Sequence, residues 1–251
     1  MGPSTKPTPE STDSNAAYCA ALARSDDRDR YLAAQFAPPS ARARVIALLA
    51  VNAEIARVAR AAREPLLADM RLRWWRDAVL AALGGAAPAQ PALAAFARAA
   101  AESGLRADAL ADPFDRLIAA RVGGLGGGPG AVPPTDAAVA RAEALSGAIA
   151  ETALALLGVA DDTARRAARA AGIAHALAGM SGADTLPLRD AIGLHVARAR
   201  AARPRDVRAA LPVLLWATAA EIRARRLARG RAPYSPWLPL RLAWASGRGR
   251  Y

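Results

Sequence analysis

The stretch LLAVNAEIARVAR, residues 48–60, sets one amide and three charged side chains on a helix that is otherwise apolar. Val45, Leu48, Leu49, Asn52, Ile55, Ala56 and Ala59 recur at steps of three and four, so Asn52 shares the buried stripe and Arg57 and Arg60 border it. A buried amide must hydrogen-bond, and two guanidinium groups about 60° apart on one helix can grip an anion. Glu54 either joins that site or pairs with Arg57 or a neighbouring helix. A second group is MRLRWWRD, residues 70–77. There Trp74 and Trp75, with Leu67, Met70 and Ala78, make a wide apolar face flanked by Arg71, Arg73 and Arg76. Bulky core packing and an apolar cavity rimmed by cations both account for it, and Arg73 and Asp77 have the spacing of an ion pair. Asn52, Glu54, Arg57, Arg60, Arg71, Arg73, Trp74 and Trp75 are therefore the candidate pocket or anion-binding residues, with no catalytic residue and no metal ligand assigned.

Other patterns point away from common catalytic sites. The glycine run at 123–130 lacks the Lys-Ser/Thr ending of a phosphate-binding loop and follows no strand. His175 and His195 have no partners at zinc-site spacing. His175, near Ile173, Leu177 and Met180, reads as a hydrogen-bonded core histidine. Ser146 and Ser181 precede glycines outside any nucleophile-elbow context. The acid pairs in DDRD (26–29) and at Asp161 and Asp162 fall at helix starts, where capping and the helix dipole account for them.

These groups must be positioned by helices. The 251 residues are 53% hydrophobic and only 5% aromatic, rich in Ala, Leu and Arg, with no convincing strand pattern, so an all-α fold in one large domain is expected. Proline and glycine punctuate roughly ten helical segments. One begins at Ser25; Ser40 caps another reaching Arg63; a third runs from Pro65 to the Gly84–Gly85 stop. Helices follow near 91–103 and 107–121, then a Gly/Pro-rich linker at 123–134. Thr135 and Asp161 cap the next two, and a kink is expected at Pro212 in a later one. Residues 1–15 read as a disordered polar tail without the apolar segment of a signal peptide, and 16–251 as the folded domain. The single cysteine, Cys19, forms no internal disulfide, which fits a cytoplasmic setting. The longest uncharged run, Ala78 to Ala97, is broken by glycines and prolines and cannot span a bilayer as one helix.

The order of segments resembles the squalene/phytoene synthase family. The likeness runs through DRYLAAQFAPPSARARVIALLAVNAEIARVAR, MRLRWWRDAV, ARAEALSGAIAETALALLGV, AARAAGIAHALAG and LPLRLAWA, most of residues 18–246. It implies a single helical bundle of the isoprenoid synthase type around a deep apolar cavity. Family enzymes hold magnesium on a prenyl diphosphate with two aspartate-rich segments, because carboxylates three or four residues apart share a helix face. Here the first segment has Ala56, Arg57 and Arg60 in place of those acids, and the second retains only Asp184. The Asn52-x-Glu54-x-Ala56 form is similar to the branch containing the mitochondrial complex I assembly factor with this fold.

The resemblance thus implies a divergent, non-catalytic member binding a partner protein, a prenyl lipid or an anionic lipid surface, in respiratory complex I assembly. No cofactor is expected. The alternative is an active prenyltransferase condensing farnesyl or geranylgeranyl diphosphate head to head, and only there does magnesium enter. The net charge of +12 means attraction to some polyanion or no more than a solvated basic surface, and arginines spread along nearly every helix argue against a nucleic-acid module. Trp237 and Trp244 among the arginines of the last segment suit either core packing or peripheral attachment at the inner face of a membrane.

Overall fold

The structure, a computed structural model, describes residues 9–61, 64–86, 89–125, 134–180, 186–202 and 204–251, with no side chain described for 9–11, 186 and 187. Its described secondary structure is helical: α1 (Pro9–Asp26), α2 (Arg28–Ala34), α3 (Pro39–Arg60), α4 (Pro65–Leu83), α5 (Pro91–Glu102), α6 (Ala107–Val122), α7 (Thr135–Leu156), α8 (Asp162–Met180), α9 (Leu186–Ala201), α10 (Val207–Leu227) and α11 (Leu238–Gly247).

Local chemistry sets most boundaries. Pro39, Pro65 and Pro91 open α3, α4 and α5, where a missing N–H is not missed and φ is already helical. α4 stops at Gly84, followed by Gly85 at φ +98, and α7 gives way to Gly158 at φ +75. Asp161 caps α8 by accepting from the backbone N–H groups of Thr163 and Ala164.

Several expectations are corrected. The segment placed at Ser25 begins at Arg28, because the Asp27 carboxylate accepts from Arg30 N and breaks the chain away from α1. Ser40 lies inside α3 rather than at its cap, since Pro39 already occupies the first turn; α3 ends at Arg60, and Arg63, near which the sequence places its end, lies outside the described residues. Residues 9–15, assigned to the polar tail, belong to α1. α10 includes Pro212 within its span, as the sequence places it. Residues 126–133 of the 123–134 linker lie outside the described residues.

α8 is central, packed on α7, α9 and α10, while α3 packs on α1, α5 and α7. Leu48, Leu49 and Ile55 are fully buried on α3, each contributing about 1.5–3 kcal/mol relative to exposure. α7 and α8 approach through small residues. A Cβ on Gly172 would stand 3.0 Å from the Ser146 carbonyl oxygen and 3.2 Å from its hydroxyl. α2 is short, and its buried face includes Asp29 and Arg30, so a helix with two charged residues turned inward is held against α10. That placement makes a polar interior.

Candidate functional site

A cavity of about 520 Å³ opens where α2, α3, α6, α7, α8 and α10 converge. Its polar lining is dominated by six arginines, Arg28, Arg30, Arg60, Arg121, Arg141 and Arg223, against three aspartates, Asp26, Asp27 and Asp29. The volume lies within the range of small-molecule sites. The deep apolar cavity implied by the resemblance is thus met by a charged one at this position.

Arg30 sits at its centre. Its Nε donates to His175 Nδ1 at 3.1 Å and lies 3.3 Å from an Asp27 oxygen, its Nη2 donates to Ser146 Oγ at 3.3 Å, and its guanidinium covers the Trp216 ring at 4.7 Å. Because Nδ1 accepts, the neutral imidazole carries its proton on Nε2. Burial, with Arg30 and Arg223 adding to it, holds His175 well below the ordinary histidine range, so it is neutral at physiological pH. Burial pushes the Asp27 and Asp29 carboxyls up, partly offset by nearby arginines.

Arg121, from α6, donates Nη2 to Asn52 Oδ1 at 3.5 Å. Burial, and then repulsion from Arg30, Arg60 and Arg141, pulls its pKa down to about 10. Among the described residues, Arg121, Arg141 and Arg223 have no ion-pair partner, although Arg223 lies 5.3 Å over the Tyr234 ring. Arg30 Nη1, Arg121 Nε, Arg223 Nε, His175 Nε2 and Asp29 Oδ1 are buried without a hydrogen-bond partner among them. Gly124 makes room for Arg141, since a Cβ there would lie 1.8 Å from its Nη2.

Of the sequence candidates, Asn52 and Arg60 line the cavity. Arg57 grips Asp26 at its edge, with Nη2 and Nε at 2.7 and 3.0 Å from the carboxylate, and Arg60 also pairs with Asp26. The Arg57 hydrogen bond holds Asp26 below the usual carboxylate range. Glu54 faces elsewhere: it accepts from the Tyr18 hydroxyl and, at 3.4 Å, from Gln90 Nε2, so it ties α1 and the start of α5 to α3. Arg71, Arg73, Trp74 and Trp75 line no part of this cavity. Trp75 is buried, but Trp74, Met70 and Leu67 are exposed, and the wide apolar face of α4 is therefore split between core and surface. Arg73 pairs with Asp69 at 3.0 Å rather than with Asp77, which pairs with Arg76.

The DDRD acids do more than cap: Asp26, Asp27 and Asp29 all reach the cavity. Sequence reasoning missed Arg30, Arg121, Arg141 and Arg223. A signal was present for two of them, because Arg121 stands in register with Phe114, Leu117 and Ile118, and Arg223 with Trp216, Ala219 and Ala220. An arginine in an apolar stripe implies an interior anion or a buried partner.

The residues present do not suit a magnesium cluster. The α3 wall is Asn52, Ala53, Ala56 and Arg60, with no acid among them, Asp26 is taken by two arginines, and Asp27 is committed to Arg30 and its own helix cap. Among the described residues no three acidic, histidine or cysteine side chains come together to hold a metal ion. Asp184, the acid of the second segment, lies outside them.

Comparison with known proteins agrees on one fold. The family model described as squalene/phytoene synthase matches residues 23–181. The crystal structure of squalene synthase HpnC from Alicyclobacillus acidocaldarius superposes with a TM-score of 0.64 at 18% identity, covering 96% of this chain and 97% of that one. No curated protein sequence matches the chain.

Proposed function

The chain belongs to the squalene/phytoene synthase family, and from that premise we propose that it is a non-catalytic member whose cavity holds a phosphate-bearing ligand on arginine charge without a metal ion. One observation carries the reading: Arg121, Arg141 and Arg223 meet at one cavity with no carboxylate in ion-pair contact among the described residues. Unpaired guanidinium groups in a low-dielectric site repel one another, and an anion that forks onto them relieves that repulsion with charge-assisted hydrogen bonds. The neutral His175 Nε2–H adds a donor without adding charge.

The same arrangement argues against condensation chemistry. Departure of pyrophosphate needs its growing charge stabilised, and the family does this with magnesium on clustered carboxylates, for which the α3 wall offers Ala56 and Arg60. A prenyl diphosphate or another phosphorylated lipid is the ligand class the family membership favours. A role with a protein partner in respiratory complex I assembly is supported by the Asn52, Glu54 and Ala56 pattern, and a cytoplasmic setting by the single cysteine, which leaves no internal disulfide.

Calorimetric titration with pyrophosphate and with farnesyl diphosphate tests the binding, alongside an assay for pyrophosphate release in the presence of magnesium. Binding without turnover is the expected result. Arg121→Ala should weaken it by about tenfold or more, the worth of one lost charge-assisted hydrogen bond. Sustained release of pyrophosphate from farnesyl or geranylgeranyl diphosphate overturns the proposal in favour of an active prenyltransferase.

A further inference from the structure

α11 presents two apolar faces. At about 100° per residue, Leu238, Leu242 and Ala245 share an arc of roughly 60°, and Trp237, Leu240 and Trp244 share another, roughly 140° away. The first arc is buried against the bundle. The second is not: Trp237, Leu240 and Trp244 are 65%, 63% and 59% exposed, so core packing does not account for the tryptophans. Leaving two indoles and a leucine in water on one helix face is costly unless something apolar covers them.

Charge identifies what covers them. From residue 224 to residue 251 the chain has seven arginines and no acidic side chain. Arg241 projects beside the tryptophan face, and Arg248 lies 4.1 Å over the Trp244 ring. Next to this face is a cleft of about 530 Å³ lined by Arg200, Arg225, Arg241, Arg250 and Trp244. Glu221 pairs with Arg200 and Arg225 at 2.8 and 2.5 Å, offsetting one of their two charges, whereas no described residue pairs with Arg241 or Arg250. Exposed indoles surrounded by unpaired guanidinium groups match the depth profile of a bilayer interface, with acyl chains below and headgroup phosphates level with the cations. No helix of the structure is long and apolar enough to cross a membrane, so the contact is one of surface docking.

We infer that the outer face of α11 and the adjoining arginine cleft dock the protein on an anionic phospholipid surface, Trp237, Leu240 and Trp244 entering the interface and Arg241 and Arg250 taking lipid phosphates. This is independent of the cavity and of what it binds.

Flotation of the full chain with phosphatidylcholine vesicles, and with an equimolar mixture of phosphatidylcholine and phosphatidylglycerol, tests it. Binding is expected to the mixed vesicles and to weaken with salt. Trp237→Ser with Trp244→Ser, and separately Arg241→Glu with Arg250→Glu, should each reduce partitioning by about tenfold or more. All four side chains are surface groups, so thermal melting should be unchanged, and a lowered melting point would be met by the milder Trp237→Gln with Trp244→Gln. Met70→Ser with Trp74→Ser, on the exposed face of α4, should bind as the parent does. Equal binding to pure phosphatidylcholine, wild-type binding by the α11 variants, or loss only in the α4 variant overturns the inference. Retention on single-stranded DNA through the same tryptophans, with no vesicle binding, also overturns it and assigns the face to nucleic acid.

Discussion

Arg30 and His175 show how a single charged side chain can be kept inside a bundle. Arg30 is 6% exposed and tolerable only because Asp27, His175, Ser146 and the Trp216 face each receive part of it. The imidazole can accept from Arg30 only while neutral, which ties folding to pH. His175 is held well below its ordinary value near 6.5 in the folded chain, so as pH falls through that value the unfolded chain takes up a proton that the native state refuses. Its contribution is complete above about pH 6.5 and is lost at up to ~1.4 kcal/mol per pH unit below it. Asp27 and Asp29, shifted upward, act with the opposite sign, stabilising towards low pH. The difference in unfolding free energy between the parent and His175→Asn isolates the histidine: the parent should lose stability relative to the variant between about pH 7 and 5. A difference that stays flat across that interval would remove the coupling.

At the scale of elements, α8 carries two glycines with opposite expectations. Gly172 lies against α7, where an added Cβ would meet the Ser146 carbonyl oxygen at 3.0 Å and the Ala150 methyl at 3.3 Å, whereas Gly179 has nothing within 4 Å. Gly172→Ala should therefore destabilise by roughly 1–3 kcal/mol as the helices are forced apart, and Gly179→Ala should stabilise by roughly 0.5–1 kcal/mol through helix propensity. Denaturant melts of the two variants compare them directly, and a gain at Gly172 would show that the α7–α8 contact is slack. Helices were the legible part of the sequence for the same reason that these glycines differ: local rules act locally. The Pro65 start and Gly84 stop of α4 could be read because proline and glycine act on their own backbone. The Asp27 break could not, since Ser25, Asp26 and Asp27 all have capping chemistry and the choice depends on how α2 meets α10. For the site, Asn52 and Arg60 were accessible from the periodicity of α3 alone. Trp74 and Arg73 lie away from this cavity, which periodicity could not show because it identifies an apolar face without saying what lies opposite, and solvent lies opposite much of this one.

Within a net charge of +12 that is spread along nearly every helix, two places stand out: an interior cavity with six arginines to three aspartates and an outer α11 region with no acidic side chain. A field of one sign raises the local concentration of anions at both and makes their occupation sensitive to salt. The cavity also makes a prediction whose sign separates it from an aspartate-lined synthase site. Where carboxylates face a diphosphate, magnesium must come between them, and adding the ion strengthens binding. Where guanidinium groups face it, magnesium competes, because an ion already neutralising pyrophosphate leaves less charge for Arg121, Arg141 and Arg223 to hold. Titrations of this chain with pyrophosphate should therefore give a tighter complex in EDTA than in excess magnesium. The loss on adding magnesium should shrink in Arg121→Ala, which has less attraction to forfeit. Binding that appears only with magnesium would mean that carboxylates, rather than arginines, hold the ligand, and the cavity would then have to be redrawn around Asp26, Asp27 and Asp29.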